Sequence, residues 1–315
     1  MVLERNDNLI GIDCGASKVL IQSAKINPNR TIISKGRYCK EYVYSSHPDW
    51  DPSYQPTPID IQIKENNNNS ILIGRAERRQ GDIIVALLQD IIANISGSQI
   101  GICFPGIKDD CGVTILANGP RIPELLTKLN KVDTLYNDSD CCITGELVSN
   151  IGKMNDIRNG VYIGGGTGIA DGILLNGNVI NLNNDTSPKK SWELILSQGA
   201  SVESYLSPGG MLKNHNLKYK TKITSLEELS TSRYFEETLS NAITAFDYLL
   251  HDRIEFFNKH KQNIEKIVIG QRLGQFLNEQ PKSVKHLFRK DTIAPVEFSF
   301  QREIAALGAA WKGSC

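Results

Sequence analysis

Hydrophobic and polar residues fall into two rhythms along this chain, a strand-like one first and a mixed one later. In the first third, Leu9 to Asp13, Val19 to Lys25 and Thr31 to Tyr44 read as three successive strands. Turn residues such as Asn27-Pro28-Asn29 join them, and such a meander suits the antiparallel part of a mixed sheet. The polar run Asn66-Asn67-Asn68-Asn69 reads as a surface loop. From Ala76 to Ile95 the period changes: Ile83, Ile84, Leu87, Leu88, Ile91, Ile92 and Ile95 recur at helical spacing. Gln99 to Phe104 is a strand ending at Pro105-Gly106, and Val113 to Asn118 is another. Gly119-Pro120-Arg121-Ile122-Pro123 punctuates the chain before a helical stretch from Glu124 to Leu129. The spacing places the domain change here, with a strand at Thr134-Leu135-Tyr136 and a helix from about Ser139.

The second half alternates strand, loop and helix, the pattern of a layered α/β domain. Val161-Tyr162-Ile163 is β-branched, and Ile173-Leu174-Leu175 and Val179-Ile180 flank Asn176-Gly177, a strong hairpin turn. From Arg233 to Asn258, Phe235, Leu239, Ile243, Phe246, Leu250, Ile254 and Phe257 step by three and four, which is a core-facing helix. Ile264 to Ile269 reads as a buried strand ending in Gly270, and Glu303 to Trp311 as a small-residue helix.

At 315 residues the chain suits two domains, and its formal net charge of +0 argues against a nucleic-acid or membrane-surface role. The seven cysteines are odd in number and form no C-x-x-C pair, so reduced, mostly buried thiols are expected rather than disulfides or a thiolate zinc site. The first residues, MVLERNDN, are charged and lack an apolar signal core, and no apolar run approaches a bilayer span. A cytoplasmic protein is expected.

The candidate chemistry sits at strand ends. Gly164-Gly165-Gly166-Thr167-Gly168 follows the Val161 strand, and Asp13-Cys14-Gly15-Ala16-Ser17-Lys18 follows the first strand. Glycine lets backbone N–H groups approach an anion, and a hydroxyl adds a donor, so each turn suits a phosphate. Asp13 is either a turn-capping aspartate or a carboxylate that holds Mg²⁺ through water, and Lys18 could offset phosphate charge. Asp138, after Asn137, is either a helix N-cap or a general base. Glu203 by itself reads as a helical surface carboxylate, and Gly270 as a strand-to-helix turn that could admit a nucleotide. The Walker A, Rossmann, H-E-x-x-H and G-x-S-x-G patterns are all absent.

Taken in order, these segments resemble the ROK-type and bacterial glucokinase-type sugar kinases of the actin-like ATPase superfamily. IGIDCGASK is similar to the first phosphate loop, and GICFPGIKDDCGVTILANGPRIP to the G-x-P-G segment and a sugar loop with its Asn118. LYNDSDCCITGEL is similar to the Asn-Asp block, GGGTGIADGILLNG to the second phosphate loop and its hairpin, and GASVESYLSPGGML to the segment with a sugar-binding glutamate. IVIGQRLG and IAALGAAW resemble the adenosine-side strand and the closing helix.

The resemblance implies two actin-like, ribonuclease H-like α/β lobes with mixed sheets flanked by helices and a cleft between them. Residues 1–120 would form the first lobe, with a closing helix 301–315 returning to it, and 121–300 the second. It implies ATP-dependent phosphoryl transfer to a sugar or polyol hydroxyl with Asp138 as general base. Asn118, Asn137 and Glu203 would bind acceptor hydroxyls. Asp13, Gly15, Ala16, Ser17 and Lys18, with Gly165, Gly166, Thr167, Gly168 and Gly270, would hold the nucleotide and Mg²⁺. A homodimer is compatible with it. The first loop reads Gly-Ala-Ser where the family has Gly-Gly-Thr. The family's histidine motif and zinc cysteines are absent from INLNNDTSPKKSWELILSQ, where Glu193 offers a substitute carboxylate, and no zinc is expected. The acceptor stays open, as does the donor, ATP or polyphosphate. A non-catalytic sugar or nucleotide regulator and a partner-activating ATPase are the rivals. About a dozen residues precede Asp13, which leaves no room for a helix-turn-helix.

Overall fold

A computed structural model describes residues 9–95, 99–182, 188–290 and 292–314. The chain divides into two compact units: one runs to Asn150 and takes up the chain again from Glu303, and the other is Ile151–Arg302.

In the first unit, β1 (Leu9–Cys14), β2 (Lys18–Ile26) and β3 (Ile33–Val43) form the antiparallel meander that the alternation predicts. Helices α1 (Ile59–Asn67) and α2 (Arg75–Ala93) lead to β4 (Gln99–Phe104), parallel to β1. A ribbon of β5 (Ile107–Lys108) and β6 (Val113–Ile115), then α3 (Leu125–Lys128), precede β7 (Leu135–Asn137), which runs straight into α4 (Asp138–Val148). The sheet order is β3-β2-β1-β4-β7. Ile84, Leu88, Ile91 and Ile92 of α2 share one buried cluster with Ile10, Ile12, Ile102 and Phe104 of the sheet.

The second unit contains β8 (Gly160–Gly165), β9 (Ile169–Leu175) and β10 (Asn178–Val179), again an antiparallel meander. Helices α5 (Val202–Leu206), α6 (Pro208–Tyr219), α7 (Leu226–Ser230) and α8 (Phe235–Lys259) follow. Then come β11 (Lys266–Gly270), α9 (Gln271–Glu279), α10 (Lys282–Leu287) and β12 (Val296–Phe298). β11 lies parallel to both β8 and β12, giving the order β10-β9-β8-β11-β12. Numbered from its own first strand, each sheet reads 3-2-1-4-5.

Three expectations differ from what is found. Asn66 and Asn67 form the last turn of α1 instead of a loop, a place where asparagine is tolerated. The Val113 strand stops at Ile115. The strand and helix carrying Asn137 and Asp138, expected in the second lobe of 121–300, belong to the first unit. The reason is pairing: Ile102, Cys103 and Phe104 lie in register with Leu135, Tyr136 and Asn137, so β7 completes the first sheet. The proline-rich stretch near 120 is an internal turn, anchored by the buried Arg121. Its guanidinium meets both Glu77 oxygens at 2.9 Å and Glu65 Oε2 at 2.5 Å.

The last helix, α11 (Ile304–Lys312), packs on β1, β4 and α4. It does so backbone to backbone. Gly11 and Gly101 are register partners on the parallel pair β1–β4. A Cβ on Gly11 would stand 1.6 Å from Ala306 O, and one on Gly101 1.8 Å from Ala309 O.

Candidate active site

The first unit gathers several of the sequence-predicted residues at the carboxyl ends of β1, β4 and β7. Asp13 leaves β1 half-buried, beside Cys103 of β4, whose Sγ donates to Asp13 Oδ1 at 3.4 Å. Burial foremost, and then the negative charge of Asp138, push the Asp13 carboxyl up to about 6; the Cys103 contact and Lys18 pull the other way. Asp138 opens α4. Its Oδ1 accepts the Ser139 N–H at 2.9 Å, and Asn137 precedes it without a side-chain capping bond. Burial raises the Asp138 pKa, opposed by the charge of Lys108 and by backbone N–H groups.

The first loop turns tightly, with Gly15 N–H donating to Lys18 O at 2.8 Å. That bond uses the Gly15 amide and leaves those of Ala16 and Ser17 for a ligand. Lys18 differs from the expectation: its ammonium is paired with Glu41 at 2.7 Å, across the β2–β3 ladder, so its charge is already offset. Asn118 is exposed and has φ 64, and the turn that carries it lies against the first loop. A Cβ on Gly119 would come within 3.4 Å of Ala16. Gln62 of α1 holds this turn by accepting from Leu116 N–H at 2.8 Å and donating to Leu116 O at 3.2 Å.

The second unit holds the other loop. Gly166 N–H donates to Gly168 O at 2.8 Å, closing the turn, and Thr167 at its tip is exposed. Glu203, on α5, accepts the Ile169 N–H at 2.8 Å, and a Cβ on Gly168 would stand 2.7 Å from Glu203 Oε2. Its carboxylate is thus part of the wall of the glycine loop, not a free surface group. Gly165 is walled in by Leu273 of α9, and Gly270 is glycine because Tyr162 fills the space, its hydroxyl 2.4 Å from where a Cβ would be. Glu193 is exposed and accepts the Lys190 N–H at 2.8 Å, a turn bond; residues 183–187 of the same interval lie outside the described residues.

Two residues at these sites carried no signal in the sequence reading. Lys108 donates to Phe104 O, Gly106 O and Asn137 Oδ1. Gln271 has φ 57, and its side-chain carbonyl lies 3.2 Å from where a Gly166 Cβ would be. A cavity of about 600 Å³ on the second unit, lined by Tyr205, Asn214 and Tyr219 among others, contains none of the predicted residues. Its His215 is engaged, with Thr238 Oγ1 at 2.9 Å and Ser232 Oγ at 3.1 Å.

Oxygen donors around a half-buried carboxylate of raised pKa suit a hard divalent cation, which would relieve the Asp13–Asp138 repulsion. Among the described residues there is no group of three or more His, Cys, Asp or Glu arranged for a metal ion, and no helix long and apolar enough to cross a membrane. Cys14, Cys103, Cys141 and Cys142 are buried free thiols, while Cys39 and Cys111 are exposed ones.

No protein-family model matches the chain, and no curated protein does. Solved structures do. A ROK family glucokinase from Streptomyces griseus, in complex with glucose and AMPPNP, superposes with a TM-score of 0.62 at 13% identity over 96% of this chain and 97% of that one. A ROK family protein from Streptococcus pneumoniae, in complex with sucrose, gives 0.62 at 15% over 96% of each chain. A ROK family transcriptional regulator, a homologue of the E. coli MLC protein, gives 0.59 at 15% over 97% of this chain and 77% of that one. The chain therefore has the actin-like α/β fold of the ROK-family sugar kinases, with two mixed sheets flanked by helices.

Proposed function

We propose that this protein is a sugar kinase that transfers a phosphoryl group from a nucleotide, with Mg²⁺, to a hydroxyl of a sugar or polyol. The observation that carries the reading is the grouping of Asp13 at the end of β1 with Asn137 and Asp138 at the end of β7, on either side of β4, where the charge of Asp138 acts on Asp13. Asp138 is the general base. Burial makes its carboxylate more basic than an exposed one, which favours taking a proton from the attacking hydroxyl. Asn137, Asn118 and Glu203 bind acceptor hydroxyls. The free amides of Ala16 and Ser17 in one loop, and of Thr167 and Gly168 in the other, bind phosphate oxygens. Asp13 holds the metal through water, and that ion would supply neutralisation of the charge on the phosphates. Positioning and electrostatics dominate such a transfer, so rigid backbone turns are suited to it.

A nucleotide donor is favoured by two glycine turns with open amides, and polyphosphate makes use of the same donors. The protein would work in the cytoplasm, and a homodimer is compatible with the reading. The test is an ADP-release screen across hexoses, amino sugars, N-acetyl sugars and polyols, repeated with polyphosphate as donor, where the phosphorylated acceptor is read instead because no ADP is released. We expect acceptor-dependent turnover with one of these classes. Asp138→Asn should lower kcat by about 10²-fold or more with the melting temperature preserved. Ligand binding by calorimetry with no turnover on any acceptor would instead indicate a non-catalytic regulator.

A further inference from the structure

Lys108 plays no part in that mechanism, yet its ammonium makes three hydrogen bonds beside the site. A lysine ammonium has three N–H donors and no acceptor. Here each donor meets an oxygen: Phe104 O at 2.7 Å, Gly106 O at 2.8 Å and Asn137 Oδ1 at 3.0 Å. The first two are carbonyls of the turn that leaves β4. The third belongs to the last residue of β7. Because lysine only donates, the group that Asn137 turns toward it must be the amide oxygen. The NH₂ of Asn137 then faces the other way, where one N–H reaches Ser139 Oγ at 2.7 Å and the second is left for a ligand. The next residue is Asp138, whose carboxylate feels the Lys108 charge.

We propose that Lys108 is a positioning residue of this site: it fixes the Asn137 amide with its donors outward, next to the Asp138 carboxylate. With all three of its donors spent, it does not itself bind the acceptor or the phosphoryl group. Its catalytic consequence rests on the phosphotransfer reading; its hydrogen bonds do not. The other titratable groups around the pair are Asp13 from β1, Cys103 from β4, and Asp140 and Cys141 from α4. All four are acids or thiols, so Lys108 is the cation that acts on Asp138, as Lys18 acts on Asp13.

The test compares Lys108→Met and Lys108→Arg with the wild-type chain. Carboxyl carbons are followed by ¹³C NMR across pH, with the Asp138 signal assigned by its loss in Asp138→Asn. Removing a nearby cation disfavours the charged carboxylate, so Lys108→Met should raise the Asp138 midpoint by about one unit. The acid limb of kcat/KM should move up with it, and the acceptor KM should rise several-fold while the nucleotide KM changes less than about twofold. Lys108→Arg keeps the charge but loses the convergent three-point geometry. It should leave the midpoint near wild type and still raise the acceptor KM. If Lys108→Met does not fold, as judged by its melting curve, this Lys108→Arg pattern decides the matter. A folded Lys108→Met with an unchanged midpoint, or a Lys108→Arg with an unchanged acceptor KM, overturns the proposal. A wild-type chain that phosphorylates nothing would defeat the kinase reading alone, since the NMR midpoint still decides the role of Lys108.

Discussion

At the scale of single residues, the site is a place where charge is held at a cost to stability. Asp13 ordinarily ionises near 4, but burial and Asp138 push it up to about 6. A carboxyl raised in this way favours the fold while protonated. Its contribution is present below about pH 4 and is lost as pH rises through 6. Asp13→Asn should therefore stabilise the metal-free protein by about 2 kcal/mol at pH 7–8, with the gain shrinking toward zero below pH 4. Urea unfolding at the two pH values checks this; a loss of stability, or the same gain at both, would contradict it. Asp13 and Asp138 stand out in the sequence as candidates because each lies where a strand gives way to a turn or a helix. Lys108 and Gln271 do not, since their meaning depends on oxygens and glycines contributed by other elements. Glu203 was legible as a position, but its hydrogen bond to Ile169 N–H was not.

At the scale of elements, glycines decide what can touch. The backbone of α11 lies on β1 and β4 because Gly11 and Gly101 face it as a pair, and on α4 because Gly145 and Gly308 meet there. Cβ atoms at those two positions would stand 2.0 Å from Ile304 O and 1.9 Å from Cys141 O. Backbone cannot yield as a flexible side chain can. Gly101→Ala should therefore destabilise the first unit by at least about 3 kcal/mol, read from denaturant unfolding. A loss under 1 kcal/mol would show that α11 docks less tightly than described. Long periodic elements were legible: the meander β1 to β3, α2, α8 and α11 appear where spacing predicts them, within a few residues. Short ones were legible only in part: α3 and β7 appear within a residue or two of where the spacing puts them, whereas β5, β12 and α5, of two, three and five residues, are too short to show a repeating pattern and are defined by pairing and packing.

At the scale of the whole molecule, the two sheets repeat one strand order, 3-2-1-4-5, though the sequence shows no tandem repeat. The repeat is one of topology, carried by a meander followed by parallel additions rather than by residue identities. A division into two α/β units was legible, but its position was not, because the parallel β4–β7 pairing joins segments separated by about thirty residues of turn and ribbon. Since the first unit takes back the chain from Glu303, truncation after Arg302 should strip amide protection from β1 and β4 while leaving β8 and β11 protected. Hydrogen exchange reads this directly, and equal loss in both sheets would contradict it. In the proposed reaction Asp138 takes the proton of an acceptor hydroxyl as a phosphoryl group arrives. ³¹P NMR of the protein with Mg²⁺, ATP and the acceptor that gives turnover tests this most directly. A sugar or polyol phosphate resonance should grow with the wild-type chain and be absent with a folded Asp138→Asn; the same product forming at the same rate with both would rule out Asp138 as the base.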